Sequence, residues 1–328
     1  MSQAWEIYEA WTLGNDGCVG DVARVTVSAL AISGGLQLVE KSGARSDLFE
    51  RCLTLEGTSG RYSLDVDAVW EGQPGNIFGG FLLGVLVRTA GLETSAAKPV
   101  SMTCQYLRPT RLGETLDISA VSMRRGRTNE LLRVSIGQAG KPTVEALVRT
   151  ADAESGPECA PANQPELDDP LSWPLAIDVW RQLGMAPPPM FVSALDAHLR
   201  GPDRRVPGID ADSWWRLASR ATYDDPFMEA ARMLLGMDGQ GMAVLRRLDR
   251  VGADREALDW GFSNLDSLIH FHQAAGTEWL YSLSRVMTSG DGFASVQTQT
   301  WSSEGDLLAT VMSQIAFFPL REGWSFQK

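Results

Sequence analysis

One acidic side chain lies in a largely apolar stretch, which is a setting that can turn a carboxylate into a reactive group. Asp266 lies in the segment 265–271 beside the apolar residues Leu265, Leu268, Ile269 and Phe271. Such surroundings desolvate a carboxylate, which must then be protonated, hydrogen-bonded or paired. A carboxylate in this position is a candidate general base. Later strand-like runs carry a hydroxyl at Thr288 and an amide at Gln314, which could meet Asp266 on one sheet face.

Two histidines follow the acid at a spacing that places both imidazoles on one face of a strand. They are His270 and His272. A zinc site needs three or four ligands, and the only other histidine is His198. No cysteine lies near in sequence. We therefore expect packed or hydrogen-bonded histidines, with no metal and no cofactor.

Composition limits the class of protein. The 328 residues carry 29 Lys and Arg against 41 Asp and Glu, a net charge of −12, which argues against general nucleic-acid binding. The four cysteines are scattered without a metal-binding spacing, which is typical of reduced thiols in the cytoplasm. No apolar run is long enough to cross a bilayer, and the first residues are acidic where a signal peptide is basic. We expect a cytoplasmic protein without membrane contact.

The first half of the chain reads as one buried helix followed by strands. Residues 60–70 alternate apolar and polar side chains, which predicts a half-buried strand. Residues 78–90 are apolar on nearly every side, which predicts a buried helix. Four strand-like runs follow between residues 100 and 150. A helix wrapped by an antiparallel meander is an α+β unit.

The predicted buried helix opens with a pair of glycines, Gly79 and Gly80. They allow a close approach of the backbone and leave N–H groups at the positive end of the helix. Such an end suits an anion or a developing oxyanion, and a second helix start, at Asp225-Pro226, is the alternative candidate for this role.

The second half repeats the same order of elements after a proline-rich linker. Residues 190–199 and 213–221 resemble strands, and 224–235 a helix with Asp225 as N-cap and Pro226 at its first position. Four more strands follow. We predict an internal duplication with four parts: 1–45 as an N-terminal extension of unknown role, 46–152 as the first unit, 153–175 as the linker, and 176–328 as the second unit with the catalytic residues.

A series of short motifs in both halves resembles the type II acyl-CoA thioesterase family. The similar residues are Phe78-Gly79-Gly80, Tyr106-Leu107-Arg108-Pro109, Arg124-Arg125-Gly126-Arg127, Gly140-Lys141-Pro142, Trp214-Trp215-Arg216-Leu217, Asp224-Asp225-Pro226, Leu265-Asp266, Phe271-His272, Glu278-Trp279-Leu280 and Leu308-Ala309-Thr310. Each motif is short, but their order and spacing in two halves are specific. The resemblance covers roughly residues 46–320.

The resemblance implies a double hot-dog fold, in which two antiparallel sheets each wrap around a central helix. It implies hydrolysis of an acyl-CoA to free acid and CoA, and a homodimer. In that family an Asp, a Thr or Ser, and a Gln of the second unit hold and activate the attacking water. These roles carry over to Asp266, to Thr288 or its neighbour Ser289, and to Gln314. For contacts to the substrate we predict Gly79, Gly80, Arg108, Arg125, Arg127 and His272.

Two alternatives stay open within this assignment. Gln314 lies one position later than the family pattern, so either a bulge restores it or Ser313 faces the site instead. Arg108, Arg125 and Arg127 suit the phosphates of CoA, but a solvated hairpin tip accounts for them equally well.

Two rival functions are compatible with the same fold. A hot-dog dehydratase or hydratase needs a catalytic histidine, and no histidine precedes His198 in the first half. A non-catalytic acyl-CoA-binding protein would keep the fold without the chemistry. The sequence leaves the acyl chain length and the physiological substrate open.

Overall fold

The computed structural model describes residues 47–152, 156–157, 164–182, 186–200, 210–238 and 260–319. The predicted N-terminal extension, 1–45, lies outside these residues, and so does part of the predicted linker. Five α-helices are described: α1 (Leu48–Cys52), α2 (Gly79–Glu93), α3 (Ala176–Gln182), α4 (Pro189–Ser193) and α5 (Pro226–Leu234).

Thirteen strands form one sheet within the described residues. The first half contributes β1 (Glu56–Thr58), β2 (Arg61–Leu64), β3 (Lys98–Tyr106), β4 (Leu116–Arg125), β5 (Asn129–Gln138) and β6 (Lys141–Ala151). The second half contributes β7 (Leu195–Leu199), β8 (Ala211–Leu217), β9 (Trp260–Asn264), β10 (Asp266–Phe271), β11 (Leu280–Gly290), β12 (Phe293–Ser302) and β13 (Leu307–Pro319).

The sheet order shows the duplication that the sequence predicts. The order is β1-β2-β4-β5-β6-β3-β10-β13-β12-β11-β8-β7, and β9 also pairs with β13. Each half therefore has two early strands, a central helix and a four-stranded antiparallel meander, and β9 is an additional strand of the second half. The two meanders join edge to edge because β3 pairs antiparallel with β10. The expected α+β double hot-dog is confirmed, with the two sheets fused into one.

The two central helices pack on one face of this sheet and against each other. Alternation along the strands buries Met102, Cys104 and Leu132 on this side, which we call the helix face. Gly80 of α2 lies so close to α5 that a Cβ there would be 3.0 Å from the backbone oxygen of Leu234. The same Cβ would lie 2.7 Å from the Phe78 ring, so a larger residue here would force the ring or the helix contact to shift.

The helix α5 begins as the sequence predicts. Asp225 is its N-cap, and its Oδ1 accepts hydrogen bonds from the backbone N–H groups of Phe227 and Met228, with Pro226 at the first helical position. The other oxygen of Asp225 lies 2.6 Å from Arg88 of α2. One carboxylate thus caps one helix and pairs it with the other.

The opposite side of the sheet, which we call the outer face, is partly covered by the linker. Trp173 of the linker packs against Trp214, Tyr281 and Trp301 of the second half. Arg200 stacks on the Trp173 ring at 4.1 Å. The linker is therefore attached to the second half by aromatic burial and a cation–π contact.

Two predicted strands are shorter than the alternation indicates. The prediction for 60–70 holds only for β2, because Ala68–Trp70 form a 3₁₀ turn capped by Asp67. The prediction for 190–199 holds only for β7, since the preceding residues form α4 with proline at its start. Local capping and proline geometry overrode the apolar pattern in both segments. Among the described helices, none is long and apolar enough to cross a membrane.

Candidate active site

Asp266 occupies a β-bulge where the two halves of the sheet meet. Strands β9 and β10 both run along β13, with Asn264 opposite Ile315 and Leu268 opposite Met312. Three residues, 265–267, therefore face only two, 313–314. Such a one-residue insertion re-aims a side chain, and bulges are frequent next to active sites.

The bulge makes the Asp266 carboxylate part of the hydrogen bonding between the strands. The backbone oxygen of Gln314 accepts the N–H of Leu265 at 2.8 Å. The backbone N–H of Gln314 then donates to Oδ1 of Asp266 at 2.9 Å rather than to a carbonyl. Within the part of the chain that the structure describes, Oδ2 of Asp266 accepts no hydrogen bond. The carboxylate is thus held through one oxygen, and the other remains available to a water molecule.

A cavity of about 220 Å³ opens at this bulge. Besides Asp266 and Gln314 it is lined by Thr103, Gln105, Ser267, Leu268, Ser295, Met312 and Ser313. These residues come from β3, β10, β12 and β13, so both halves of the chain contribute to it. Its volume is below the roughly 300–1,000 Å³ of a pocket for a whole small molecule. A space of this size holds a small chemical group rather than a complete large ligand.

A row of polar residues crosses the sheet through Asp266. Consecutive strands in this row carry Gln105, Asp266, Gln314, Ser295 and Thr288. Residues opposite one another on antiparallel strands point to the same side, so the row lies on the outer face. Thr288 is exposed and three strands away from Asp266, about 14 Å at the usual strand spacing.

The structure therefore brings Asp266 and Gln314 together and leaves the predicted hydroxyl at a distance. Ser289 is also exposed on β11, beside Thr288. Ser295 lies between Gln314 and Thr288 in the row and lines the cavity. The sequence reading did not find Ser295 or Gln105, because only strand pairing places them beside Asp266.

The question of Gln314 or Ser313 is answered by the register of β13. Ser313 pairs with Val296 and Gln314 with Ser295 without interruption. Ser313 is consequently buried on the helix face and Gln314 is exposed on the outer face. A bulge is present, but it lies in the opposing strand and acts on Asp266.

The predicted arginines lie outside the cavity lining. Arg108 donates to the backbone oxygen of Pro142 at 2.6 Å. Arg125 pairs with Glu130 at 3.1 Å, although the Arg125 side chain is 59% exposed. Burial alone raises the pKa of Glu130, but hydrogen bonds from Ser122, Arg125 and Thr94 outweigh it and lower that pKa. Arg127 is exposed in the turn between β4 and β5.

The remaining predicted contacts lie at a helix start and at the end of β10. Phe78, the N-cap of α2, contributes no side-chain hydrogen bond, so Gly79 begins that helix without such a cap. Gly80 is buried at the contact between α2 and α5. His272 hydrogen-bonds to the hydroxyl of Thr310 at 3.2 Å. Burial, and then the neighbouring His270, lower the pKa of His272.

Solved structures share this fold over most of the chain. A conserved protein of unknown function with a hot-dog fold from Alicyclobacillus acidocaldarius matches with a TM-score of 0.68 and 17% identity, over 83% of this chain and 98% of that one. An acyl-CoA thioesterase II from Mycobacterium marinum matches with a TM-score of 0.66 and 20% identity, over 84% and 100%. A tesB protein of Mycobacterium avium subs. paratuberculosis matches with a TM-score of 0.63 and 22% identity, over 83% and 98%. At these identities the similarity establishes the fold alone.

The sequence itself matches two family models in succession. Residues 66–151 match the acyl-CoA thioesterase N-terminal domain, and residues 157–317 match the acyl-CoA thioesterase C-terminal domain. No curated protein sequence matches the chain significantly. Because the two models follow each other over both halves of the duplicated fold, the chain belongs to the acyl-CoA thioesterase family and is a thioester hydrolase.

Proposed function

We propose that this chain hydrolyses a CoA thioester with Asp266 as the general base. The observation that supports this assignment is the held carboxylate. One oxygen of Asp266 accepts the N–H of Gln314 at 2.9 Å, and the carboxylate lines the cavity at the junction of the two halves. A base needs a fixed position and a free lone pair, and this arrangement provides both.

In the proposed reaction, Oδ2 of Asp266 takes a proton from a water molecule as the water oxygen attacks the thioester carbonyl carbon. The carbonyl oxygen becomes an oxyanion in the tetrahedral intermediate. When the intermediate collapses, the carbon–sulfur bond breaks and the thiolate of CoA takes up the proton from Asp266. The products are the free acid and CoA.

The water is oriented by an amide and a hydroxyl in this proposal. The amide is that of Gln314, which lies opposite Asp266. For the hydroxyl, we favour Ser295 over Thr288 because Ser295 lines the cavity and Thr288 is three strands away from Asp266. Two hydrogen-bond partners restrict the orientation of a water molecule and so lower the entropic part of the barrier.

The rest of the substrate lies outside the small cavity. We propose that Arg108, Arg125 and Arg127 contact the phosphates of CoA, since guanidinium groups suit phosphate geometry. The N–H groups at Gly79 and Gly80 would polarise the carbonyl, and His272 would contact the substrate near the end of β10. Among the described residues, no single cavity is lined by all of these groups. Each of these proposed contacts therefore has to be tested on its own.

We also propose that the chain acts as a homodimer in the cytoplasm. The support is the family likeness for the dimer and the four scattered cysteines for the compartment. Sedimentation velocity of the purified chain measures its oligomeric state. Fractionation of cells that express it measures its compartment.

The assay for the proposal is release of CoA thiol, followed with DTNB, from acyl-CoA substrates of short to long chain length. We expect Asp266→Asn to lower kcat by about 100-fold or more, because general-base catalysis contributes on that order. Asn keeps the size and a hydrogen-bond acceptor for the Gln314 N–H, so the fold should be unchanged. Full hydrolysis by this variant would show that another group is the base.

A further inference from the structure

Directly behind the bulge, on the helix face, two hydroxyls bridge the same two strands. The Oγ atoms of Ser267 and Ser313 are 3.0 Å apart and share a hydrogen bond. Both residues are buried, with 3% and 4% of their surface exposed. Both residues border the cavity themselves, and each is the sequence neighbour of a proposed catalytic residue, Asp266 in one case and Gln314 in the other.

The first half of the fold has apolar residues, rather than a pair of hydroxyls, on the corresponding strands. The corresponding strands β3 and β6 place Met102 opposite Val148 and Cys104 opposite Ala146 on the helix face, all buried. The register of β3 and β6 continues without interruption along this stretch. At the bulge the backbone pairing between β10 and β13 is interrupted by a side chain. A second hydrogen bond between the strands at this point restores part of the lost connection.

We propose that Ser267 and Ser313 are positioning residues that hold the Asp266 carboxylate in place, an inference that rests on the proposed role of Asp266 as the base. Their hydrogen bond joins the strands on the helix face while the Gln314 N–H joins them through Asp266. The two bonds together determine where the carboxylate lies relative to the cavity. Neither hydroxyl takes part in the chemistry of the thioester.

The test uses single and double alanine variants of the pair. Ser313→Ala alone leaves the Ser267 hydroxyl buried without its partner, which should lower the free energy of unfolding. The double variant Ser267→Ala/Ser313→Ala removes both polar groups, so it should recover most of the lost stability. A positioning role predicts that kcat stays about 10-fold to 100-fold lower in the double variant, because a small displacement of a catalytic group has effects of this size. KM for the acyl-CoA should change less than about 2-fold, since no proposed CoA contact is altered.

A matched control is present on the same face of the sheet. Ser284 and Thr298 form a second buried hydroxyl pair, 2.8 Å apart, that does not line the cavity. Ser284→Ala should lower the melting temperature as Ser313→Ala does and leave kcat unchanged. An equal loss of kcat in Ser284→Ala, or recovery of kcat together with stability in the double variant, overturns the inference.

The result is separable from the proposal about Asp266. Loss of hydrolysis in Asp266→Asn with normal kcat in Ser267→Ala/Ser313→Ala would refute only the role of the hydroxyl pair. Full hydrolysis in Asp266→Asn would refute the base itself. Loss of kcat in both variants supports both.

Discussion

The position of the Asp266 carboxylate depends on one inserted residue. Without the bulge, the backbone of β10 would pair with Gln314 and the side chain of Asp266 would project away from the sheet. With it, the carboxylate accepts the Gln314 N–H at 2.9 Å and stays beside the cavity. A hydrogen bond to a charged acceptor is stronger than one between neutral groups, so the bulge and the acid stabilise each other.

The choice between Ser295 and Thr288 as the hydroxyl that orients the attacking water is testable. We expect Ser295→Ala to lower kcat by about 10-fold, because it removes a hydrogen bond to the attacking water worth roughly 1.4 kcal/mol. Thr288→Ala should leave kcat unchanged, since that side chain is exposed and three strands away from Asp266. Steady-state kinetics with one acyl-CoA compares the two. A larger effect of Thr288→Ala would show that β11 moves toward the acid when substrate binds.

At the scale of elements, the two central helices share one carboxylate. Asp225 caps α5 through one oxygen and contacts Arg88 of α2 at 2.6 Å through the other. The N-terminus of α5 is thereby occupied by a side chain, whereas α2 begins at Gly79 without a side-chain cap. The two central helices therefore begin differently, α5 with a side-chain cap and α2 without one.

The cap and the ion pair can be separated by substitution. We expect Asp225→Ala to lower the free energy of unfolding by about 1–2 kcal/mol, mainly through the lost N-cap. Asp225→Asn keeps the cap and loses the charge, and it should cost less than about 1 kcal/mol because both side chains are partly exposed. Urea denaturation measures both. Equal losses would mean that the ion pair, and not the cap, stabilises the contact between the helices.

At the scale of the whole molecule, an acidic protein has to bind an anionic substrate. The net charge is −12, and CoA carries several phosphate charges. Binding therefore needs a local basic surface, which we propose is formed by Arg125 at the end of β4 and Arg127 in the turn that follows. Arg125 already pairs with the buried Glu130. A substitution at Arg127 therefore tests the phosphate contact without also breaking that ion pair.

We expect Arg127→Glu to raise KM for acyl-CoA by about 10-fold at low salt, which corresponds to roughly 1.4 kcal/mol. The effect should shrink as ionic strength increases, since exposed charges are screened. Arg133→Glu makes the same charge change at an exposed position within β5 and is the control. Equal KM values for the two variants would assign Arg127 to an ordinary solvated turn.

Much of the architecture could be read from local patterns. The buried helix α2, the capped start of α5 and the two meanders follow from apolar periodicity, N-cap chemistry and turn residues, all of which act over a few neighbouring positions. The repeated order of these elements predicted the duplication. The strand predicted for residues 60–70 failed beyond Leu64 because a short polar cap at Asp67 outweighed the alternation.

The candidate site could be predicted only in part. Local sequence was enough to mark Asp266 as the candidate acid, because its apolar neighbours and the family motifs point to it without reference to any partner. Which groups lie beside it was decided by the tertiary structure: Gln314 and Ser313 are 48 and 46 residues from their partners Asp266 and Ser267. A shift of one residue in strand register exchanges the two faces of a strand, and register is set by pairing between distant segments rather than by local sequence.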